Sequence, residues 1–370
     1  MTNDNMIHVG IVGAPRGLPL RAAWEATGRL RIRALCDANP DRLAAAADKL
    51  EQVGLYTDCE EMLARGDLDA VLLATPMQMH VPQAVAALQA GVHVLSEVTA
   101  GVSVDECRAL VAACRSSRAR YWMAENYLYG RPVQIVKALV ERGLFGAAYY
   151  AEGEYLHDGK ELSEITPWRR KWQTGINGIT YGSHSLGPIL SWLPGDRVES
   201  VCCAGSGHHY RDPRGDEYEN EDSCVMLCKL RSGGLAKVRV DILSERPHAM
   251  TNYQLQGTEG CFESARAAGE RDRVWLRARS PHKDQWQALD DLAEEFLPDD
   301  WRRYEALATR AGHGGGDFFV ALDFARALDG LPSQLPGIHE ALDMTLPGLV
   351  SQQSIAEGGR WLPVPDSRDW

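Results

Sequence analysis

The chain has 370 residues, a length that favours two domains. Apolar residues make up 45% and charged residues 24%, which excludes disorder as the main state. Acidic residues outnumber basic ones by 51 to 39, and the net charge of −12 repels phosphate backbones and anionic lipid, so no nucleic acid and no membrane partner is expected.

The opening MTNDNMIHVG lacks the basic-then-apolar pattern of a secretory signal, and no apolar run approaches the ~20 residues that cross a bilayer. Nine cysteines, an odd number with no Cys-x-x-Cys pair, read as buried reduced thiols. They suit a cytoplasmic protein better than a disulfide framework does. Cys224 and Cys228 read as core thiols on a strand, and no metal site is expected.

In chain order, Ile7–Val12 is a short apolar run ending in glycine, and Leu18–Gly28 can form a helix. Ile32–Cys36 is a second strand, ending at Asp37. Asn39-Pro40 opens a helix, because Asn caps free N–H groups and Pro suits the first turn. Ala70–Ala74 is long enough for a buried strand and too short for a helix. Val81–Ala90 reads as a helix stopped by Gly91, Val92–Leu95 as a strand, and Ser103-x-x-Glu106 as the capping box of a helix through Cys114. Arg120–Met123 is a fifth strand. Buried strands alternating with helices predict a parallel, doubly wound Rossmann sheet. Ligands of such sheets bind beyond the carboxyl ends of the strands. The informative positions are therefore Gly13–Gly17, Asp37, Thr75-Pro76, Glu97 and Glu125-Asn126.

The second half differs. Arg131–Arg142 reads as a helix stopped by Gly143. Alternating runs follow at Ala148–Tyr155, Val198–Ala204, Ser223–Leu230, Leu235–Ile242 and Tyr253–Gln256, with Ser232-Gly233-Gly234 as a hairpin turn. Asp317–Leu328 and Ile338–Leu346 are later helices. This is an α+β domain with a large open, mainly antiparallel sheet. The expected division is 1–125 for a dinucleotide-binding domain and 126–370 for a substrate domain, with a boundary near Met123–Arg131. The C-terminal segment can pack back on the first domain.

The first strand leads into Gly13-Ala14-Pro15-Arg16-Gly17. A dinucleotide fold places glycines here so that backbone N–H groups approach a pyrophosphate at a helix N-terminus. The match to G-x-G-x-x-G is imperfect: Pro15 stands near the usual second glycine, and the turn is about one residue short. Asp37 follows Gly13 by 24 residues, close to the ~20 expected for the acid that binds a ribose 2′-hydroxyl. A carboxylate there repels a 2′-phosphate, so NAD is favoured over NADP. The alternative for Asp37 is a turn residue before Asn39-Pro40.

Ala74-Thr75-Pro76 with His80, Val94-Leu95-Ser96-Glu97 and Glu125-Asn126 occur in an order and spacing that resemble the glucose–fructose oxidoreductase / inositol dehydrogenase (Gfo/Idh/MocA) family. The resemblance covers nearly the whole chain. It implies a Rossmann domain, a larger open-faced α/β domain, a bound nicotinamide cofactor, and a homo-oligomer, dimer or tetramer. It also assigns Gly13, Ala14, Arg16, Gly17, Asp37, Thr75, Pro76, His80, Glu97, Asn126 and Trp168 to the cofactor. Two departures stand out. Dehydrogenases of this family carry Glu-Lys-Pro where this chain has Glu97-Val98-Thr99, so their lysine is missing. They carry an Asp four residues before a catalytic His, where this chain has Thr180 before His184.

A narrower branch, the NAD-dependent glycosidases of glycoside hydrolase family 109, resembles the chain more closely. The shared stretches are Glu125-Asn126, Tyr155-Leu156-His157-Asp158, Trp168-Arg169, Tyr181-x-x-His184 with Gly187-Pro188, and Gly312-His313-Gly314-Gly315-Gly316-Asp317. That resemblance implies that Glu125, His157, Arg169, Tyr181 and His184 line the sugar site. A late tyrosine of the branch, after an Arg-Pro pair, has no clean counterpart: Arg246-Pro247 is followed by His248, with Tyr253 nearby, and both are substrate-binding candidates against a competing structural reading.

These residue types suit a redox route to glycoside cleavage. A nicotinamide ring takes a hydride from a sugar carbon, and the protein removes the hydroxyl proton. His184 can do so near neutral pH, where imidazole titrates. The ketone acidifies the neighbouring C–H, and Tyr181 can take that proton if Arg169 or protonated His184 stabilises its phenolate. Loss of the proton expels the C1 substituent, water adds, and the hydride returns. No carboxylate pair of the ordinary glycosidase kind is needed. His184, Tyr181 and Glu125 are the catalytic candidates. Structural readings compete: His184 as a helix cap, Tyr181 as core, Glu125 as a partner of a backbone N–H, Trp168 as core or lid. The leading function is an NAD-dependent enzyme acting on a small-molecule sugar or glycoside, as a glycosidase that recycles its cofactor. The alternatives are a net sugar or polyol dehydrogenase and a non-catalytic NAD-binding sensor.

Overall fold

The computed structural model describes residues 6–47, 50, 52–247 and 249–370. The chain divides into two compact units. The first holds the described residues up to Asn126, with Tyr304–Leu342 and Asp366–Trp370; the second holds Tyr127–Arg303 and Asp343–Pro365.

In the first unit, β1 (Ile7–Val12), β2 (Leu30–Cys36), β3 (Gly54–Tyr56), β4 (Ala70–Leu73), β5 (His93–Ser96) and β6 (Tyr121–Met123) form a sheet in the order β3-β2-β1-β4-β5-β6. Every pairing in it is parallel. The strand order turns back at β1 and β4, which is where such sheets leave a crevice for a ligand. All four residues of β4 are fully buried, as a strand covered on both faces requires. Val71, Leu72 and Leu73 each add about 1.5–3 kcal/mol of burial.

Helices α1 (Ala14–Ala26), α2 (Pro40–Ala47), α3 (Cys59–Leu63), α4 (His80–Gln89) and α5 (Val104–Ser116) cross between the strands. Helix α1 starts four residues before the expected Leu18, immediately after Gly13. Pro15 reads as a loop residue in sequence, yet in the first helical turn its missing N–H has no partner to lose. β3 and α3 are short and were not among the expected elements; Asp58 caps α3 by accepting the Glu61 N–H at 2.9 Å. At α5, Ser103 Oγ accepts the Glu106 N–H at 3.2 Å, and Glu106 Oε2 reaches back to the Val102 N–H at 3.0 Å. The late segment belongs to this unit through its core. The Phe324 ring lies 5.7 Å from Trp24 and 5.6 Å from Trp122, and the Met123 N–H donates to Pro336 O at 2.9 Å.

The second unit is built on β7 (Ala148–Leu156), β8 (Val198–Gly205), β9 (Ser223–Leu230), β10 (Leu235–Asp241), β11 (Thr251–Gly257), β12 (Gly260–Glu263), β13 (Arg273–Leu276), β14 (Gln287–Ala288) and β15 (Leu362–Pro363). Their order is β14-β13-β12-β11-β7-β10-β9-β8-β15. β7 and β10 pair in parallel, and the other pairings are antiparallel. β9 and β10 alternate buried and half-buried residues, so one face of the sheet is covered and the other is not. Helices α6 (Arg131–Glu141), α7 (Lys160–Ile165), α8 (Trp168–Trp172) and α9 (Ser183–Ser191) belong to this unit. Gly153 lets α9 lie directly on β7, since a Cβ there would sit 2.8 Å from Ser185 Cβ.

A later helix spans Ile338–Ala356, well past the expected end at Leu346. Pro347 costs this helix a hydrogen bond, about 3 kcal/mol in an isolated helix. Buried packing of Leu346 and Val350 outweighs it. So do two hydroxyls of the same helix: Ser351 Oγ accepts the Ile179 N–H and Ser354 Oγ the Cys203 N–H, each at 2.9 Å. All nine cysteines are unpaired, and five of them are buried. Among the described residues, no helix is long and apolar enough to cross a membrane.

Candidate active site

In the first unit the turn after β1 has the build a dinucleotide needs. Gly13 adopts φ +99°, and a Cβ on it would lie 2.4 Å from Ala74 O. A Cβ on Gly17 would lie 2.2 Å from Ile11 Cγ2. The first glycine makes the sharp turn, and the second lets α1 press on β1. Asp37, 6% exposed, directly follows β2 and accepts the Ala14 N–H at 3.0 Å and the Asn39 N–H at 2.9 Å. Its carboxylate therefore stands at the mouth of the turn, where a ribose hydroxyl can donate to it. The Arg42 guanidinium approaches to 3.4 Å.

The turn also differs from the usual cradle. Pro15 has no N–H, Ala14 gives its own to Asp37, and Gly17 bonds Gly13 O at 2.9 Å. The Arg16 N–H is what α1's first turn retains for a phosphate. These residues fit a dinucleotide with a carboxylate-read ribose, held by fewer backbone donors than a full G-x-G-x-x-G turn supplies.

Beside the turn lies an ion cluster. Arg16 Nε donates to Glu97 Oε1 at 2.7 Å, and Arg16 Nη2 to Asp317 Oδ1 at 3.2 Å. Asn126 Nδ2 donates to the same Asp317 oxygen at 2.9 Å, and His313 Nδ1 lies 2.9 Å from Asp317 Oδ2. Burial would raise the Asp317 carboxyl, but His313 and Arg16 hold it down to about 2. Its bond to Asp317 lifts His313 above the ordinary imidazole value, against the effect of burial. Burial would lower Arg16, and Glu97 and Asp317 more than offset it. The Gly312–Gly316 run makes this possible. Gly312, His313, Gly314 and Gly315 all have positive φ, and a Cβ on Gly316 would lie 2.4 Å from Asn126 O. In sequence this run reads as a tight turn with Asp317 capping the next helix; in the structure Asp317 lies within the helix Gly316–Leu328, and its carboxylate gathers Arg16, Asn126 and His313 instead.

One candidate, His80, takes a position that serves the backbone. His80 is 1% exposed, with Nδ1 2.9 Å from Thr99 O and Nε2 2.9 Å from Thr75 O. It ties the loops after β4 and β5 together, so its ring nitrogens are not available to a cofactor. Burial holds it below the ordinary imidazole value. Thr75 Oγ1 donates to Gln83 Oε1 at 2.6 Å, and Pro76 starts a single turn at Met77–Met79. Glu125 is fully buried just after β6, and its N–H bonds Met123 O at 3.0 Å.

In the second unit, α9 begins at Ser183 and presents His184, 6% exposed, to a group of aromatic rings. The imidazole centroid lies 4.9 Å from Tyr181, 5.2 Å from Tyr155 and 4.4 Å from Tyr127. Tyr155 and Tyr181 are 5.5 Å apart, and His157 lies 6.0 Å from Tyr155. Arg169 on α8 is an electrostatic neighbour of Tyr181 and Tyr155. Burial lowers its guanidinium, and both tyrosines act to raise it. The guanidinium also stacks over Trp168 at 4.4 Å and donates to Thr166 Oγ1 at 2.6 Å. His157 is held below the ordinary imidazole value by burial and by Arg169, against Asp158.

The structure thus brings Tyr181, His184, His157 and Arg169 together, and adds Tyr155 and Tyr127. Their signal was present: Tyr127 follows Glu125-Asn126 directly, and Tyr155 opens the stretch that contains His157. Tyr253 does not join them as a substrate contact. It is 5% exposed, and its hydroxyl donates to His184 O at 2.6 Å, so it positions α9. Trp168 packs on Arg169 in the second unit, while the dinucleotide turn belongs to the first. His248 lies outside the described residues.

Residues 7–125 match the family described as "Oxidoreductase family, NAD-binding Rossmann fold", and residues 129–369 match "Glycosyl hydrolase 109, C-terminal domain". A glycosyl hydrolase family 109 protein of Saccharopolyspora erythraea is 31% identical over 97% of this chain and 83% of its own length. One from Streptomyces filamentosus is 29% identical over 97% and 77%. Among solved structures, the WlbA dehydrogenase of Bordetella pertussis, in complex with NADH and UDP-GlcNAcA, aligns with a TM-score of 0.79 at 25% identity over 99% of each chain. A levoglucosan dehydrogenase, in complex with NADH and L-sorbose, shares the fold with a TM-score of 0.82 at 19% identity.

Proposed function

Because the chain belongs to glycosyl hydrolase family 109, with an NAD-binding Rossmann domain of the oxidoreductase family ahead of it, we propose that it hydrolyses a glycoside by a redox route in which NAD is used and regenerated. The observation that carries the proposal is the Tyr181–His184 pair, with rings 4.9 Å apart and nearly perpendicular, and with Arg169 as the tyrosine's cationic neighbour. Gly13, Arg16, Gly17 and Asp37 hold the dinucleotide, with Asn126 and Glu97 framing the turn through Asp317 and Arg16. Bound NAD supplies a two-electron acceptor that withdraws a hydride from a sugar carbon and later restores it.

His184 accepts the hydroxyl proton from the carbon being oxidised, leaving a ketone. Expulsion of the C1 substituent needs an acidic C–H at C2, so the ketone forms at C3. Tyr181, as phenolate, takes the C2 proton, and the Arg169 charge stabilises that phenolate. The C2–H electron pair becomes a C1=C2 double bond, and the C1–O pair leaves on the aglycone oxygen, which takes its proton from the water whose hydroxyl goes to C1. Water then adds at C1 and the C2 proton returns. His157, whose imidazole is held below its ordinary value by burial and by Arg169, serves as a hydrogen-bonding partner of a sugar hydroxyl. The ring faces of Tyr127 and Tyr155 suit the apolar face of a pyranose.

A second reading, net dehydrogenation, draws on the likeness to WlbA, whose solved complex holds NADH and a UDP-sugar acid. One experiment separates the two. The purified protein is incubated with aryl glycosides and no added NAD. Aglycone release without accumulating NADH supports hydrolysis. Stoichiometric NADH with the glycosidic bond intact rejects it in favour of dehydrogenation, and dinucleotide binding without turnover of either kind leaves a sensor.

A further inference from the structure

Helix α8 has five residues, too few to hold its shape alone, yet it carries Arg169. The support comes from residues 206–222, the connection between β8 and β9, which takes no part in the chemistry above. A connection of that length without secondary structure of its own is uncommon in a compact domain. Its centre is Asp212, a loop carboxylate only 5% exposed.

We propose that Asp212 and Arg170 are positioning residues, the carboxylate gripping α8 through Arg170 so that the adjacent Arg169 is held toward Tyr155 and Tyr181. Arg170 Nε lies 3.6 Å from Asp212 Oδ2, Arg170 Nη2 donates to Glu217 O at 3.0 Å, and the guanidinium stacks on the buried Tyr218 ring at 4.8 Å. Those contacts engage the Nε and Nη2 edges and one face of the Arg170 guanidinium. Successive residues on a helix point about 100° apart, so fixing Arg170 fixes the direction of Arg169.

The grip is itself braced. Asp212 Oδ1 accepts the Arg214 N–H at 2.9 Å and the Asp216 N–H at 3.0 Å. Arg214 bonds Asp212 Oδ2 at 2.6 Å and continues to α7, where it makes a two-pronged pair with Glu164 at 2.8 and 3.0 Å. Burial would raise the Asp212 carboxyl, but the Asp216 N–H and Arg214 outweigh it and hold it ionised. Beyond α8, Asn220 Nδ2 donates to Ile176 O at 2.8 Å and Gly178 O at 3.0 Å. The loop therefore holds the stretch from Glu164 to Gly178, which leads into Tyr181.

The bearing of this on sugar chemistry rests on the reading above; its test does not use turnover. His157 reports where the Arg169 charge lies, because its neighbours in charge are Asp158 and Arg169, with Tyr155 as its ring contact. Its C2–H resonance, assigned with His157→Asn, is titrated by NMR. Arg169→Gln removes the cation and raises the His157 midpoint, by about half a pH unit or more. Asp212→Asn is expected to raise it in the same direction, and the double variant no further than Arg169→Gln alone. An unchanged midpoint in folded Asp212→Asn, while Arg169→Gln shifts it, overturns the proposal. So does an equal shift in Arg211→Gln, which alters an exposed charge of the same loop. If Asp212→Asn fails to fold by circular dichroism, Arg170→Lys, which keeps the charge and loses the fork, answers the same question by the same criteria. A wild type without turnover that still shows these shifts sinks the glycosidase reading and leaves the positioning role standing.

Discussion

Arg16 and Asp317 stand 301 residues apart in sequence, and their side chains meet with Nη2 3.2 Å from Oδ1. The pair joins the dinucleotide turn to the glycine run through one buried carboxylate. Asp317 also serves Asn126 and His313, so a single residue satisfies three donors from three segments. Such a hub has an asymmetric cost: the pair gains little over an apolar replacement, yet removing one partner leaves desolvated charge behind.

Asp317→Asn should therefore destabilise the protein by about 1–3 kcal/mol, the usual cost of leaving buried polar partners unsatisfied. Glu97 still neutralises Arg16 in the variant, which keeps the loss from being larger. Urea unfolding measures the difference. The His313 titration, followed by NMR, should fall back toward its ordinary value, because the bond to Asp317 is the main cause of its rise. A His313 midpoint that stays high in the variant would show that another group lifts it.

The same imidazole gives a pH dependence with a definite sign. His313 has a folded midpoint above its unfolded value of 6.5. Its contribution is fully present below that value and is lost as pH rises through the folded midpoint. Asp317 stays ionised across this range, with its carboxyl at about 2. Wild type should exceed His313→Asn in stability at mildly acidic pH, by about 1 kcal/mol for a half-exposed pair, and the gap should close as pH rises through the folded midpoint. Unfolding curves at three pH values decide it; a gap that widens with rising pH is the contrary result.

What the sequence showed and what it hid follow one physical division. β1, β4 and β9 were legible because burial on one or both faces writes itself into two-residue or continuous apolar patterns. Tyr181-x-x-His184 was legible because three residues bring both groups to the start of one helix. Helix α1 was read late because Pro15 carries opposite meanings in a loop and in a first helical turn. The helix over Ile338–Ala356 was cut short at Pro347 because the serines that hold its second half bond segments far away in sequence, Ile179 and Cys203. Asp317, which reads in sequence as a helix cap, and Asp212 hid their roles for the same reason: a carboxylate's partners are set by tertiary structure, and nothing local distinguishes a hub from a capping or solvated acid. Tyr253 could be read either as a substrate contact or as a structural residue, and its hydroxyl is committed to a carbonyl.

The glycine turn can be tested by coupling. Gly17→Ala places a methyl 2.2 Å from Ile11 Cγ2, an overpacking of about 1–3 kcal/mol. Ile11→Ala alone opens a cavity in β1 and costs about 2–5 kcal/mol. Combined, the two changes should cost less than their sum by roughly 1 kcal/mol or more, because each relieves the other. Gly13→Ala has no such relief, since its Cβ meets the backbone at Ala74 O with φ at +99°. It should lose NAD binding more than tenfold by calorimetric titration, while Gly17→Ala/Ile11→Ala retains it. Additive costs in the double variant would mean that α1 and β1 adjust independently at this contact.

Two tyrosines that each lose one oxygen should behave in opposite ways. The Tyr253 hydroxyl bonds His184 O at 2.6 Å in a buried setting, so Tyr253→Phe strands a carbonyl at the start of α9 and should cost about 1–2 kcal/mol of stability. Its effect on rate should be small, because the imidazole keeps its ring contacts with Tyr127, Tyr155 and Tyr181. The half-buried Tyr181 is argued to move a proton, so Tyr181→Phe should leave thermal stability nearly unchanged and lower aglycone release by about 10²–10⁴-fold. The ring that packs on His184 survives in Tyr181→Phe, which confines the loss to the hydroxyl. Thermal midpoints and initial rates for the two variants, measured side by side, are the check. If Tyr253→Phe lost the rate and Tyr181→Phe only the stability, the acid–base role would pass to Tyr253, and the ring pair at 4.9 Å would be packing alone.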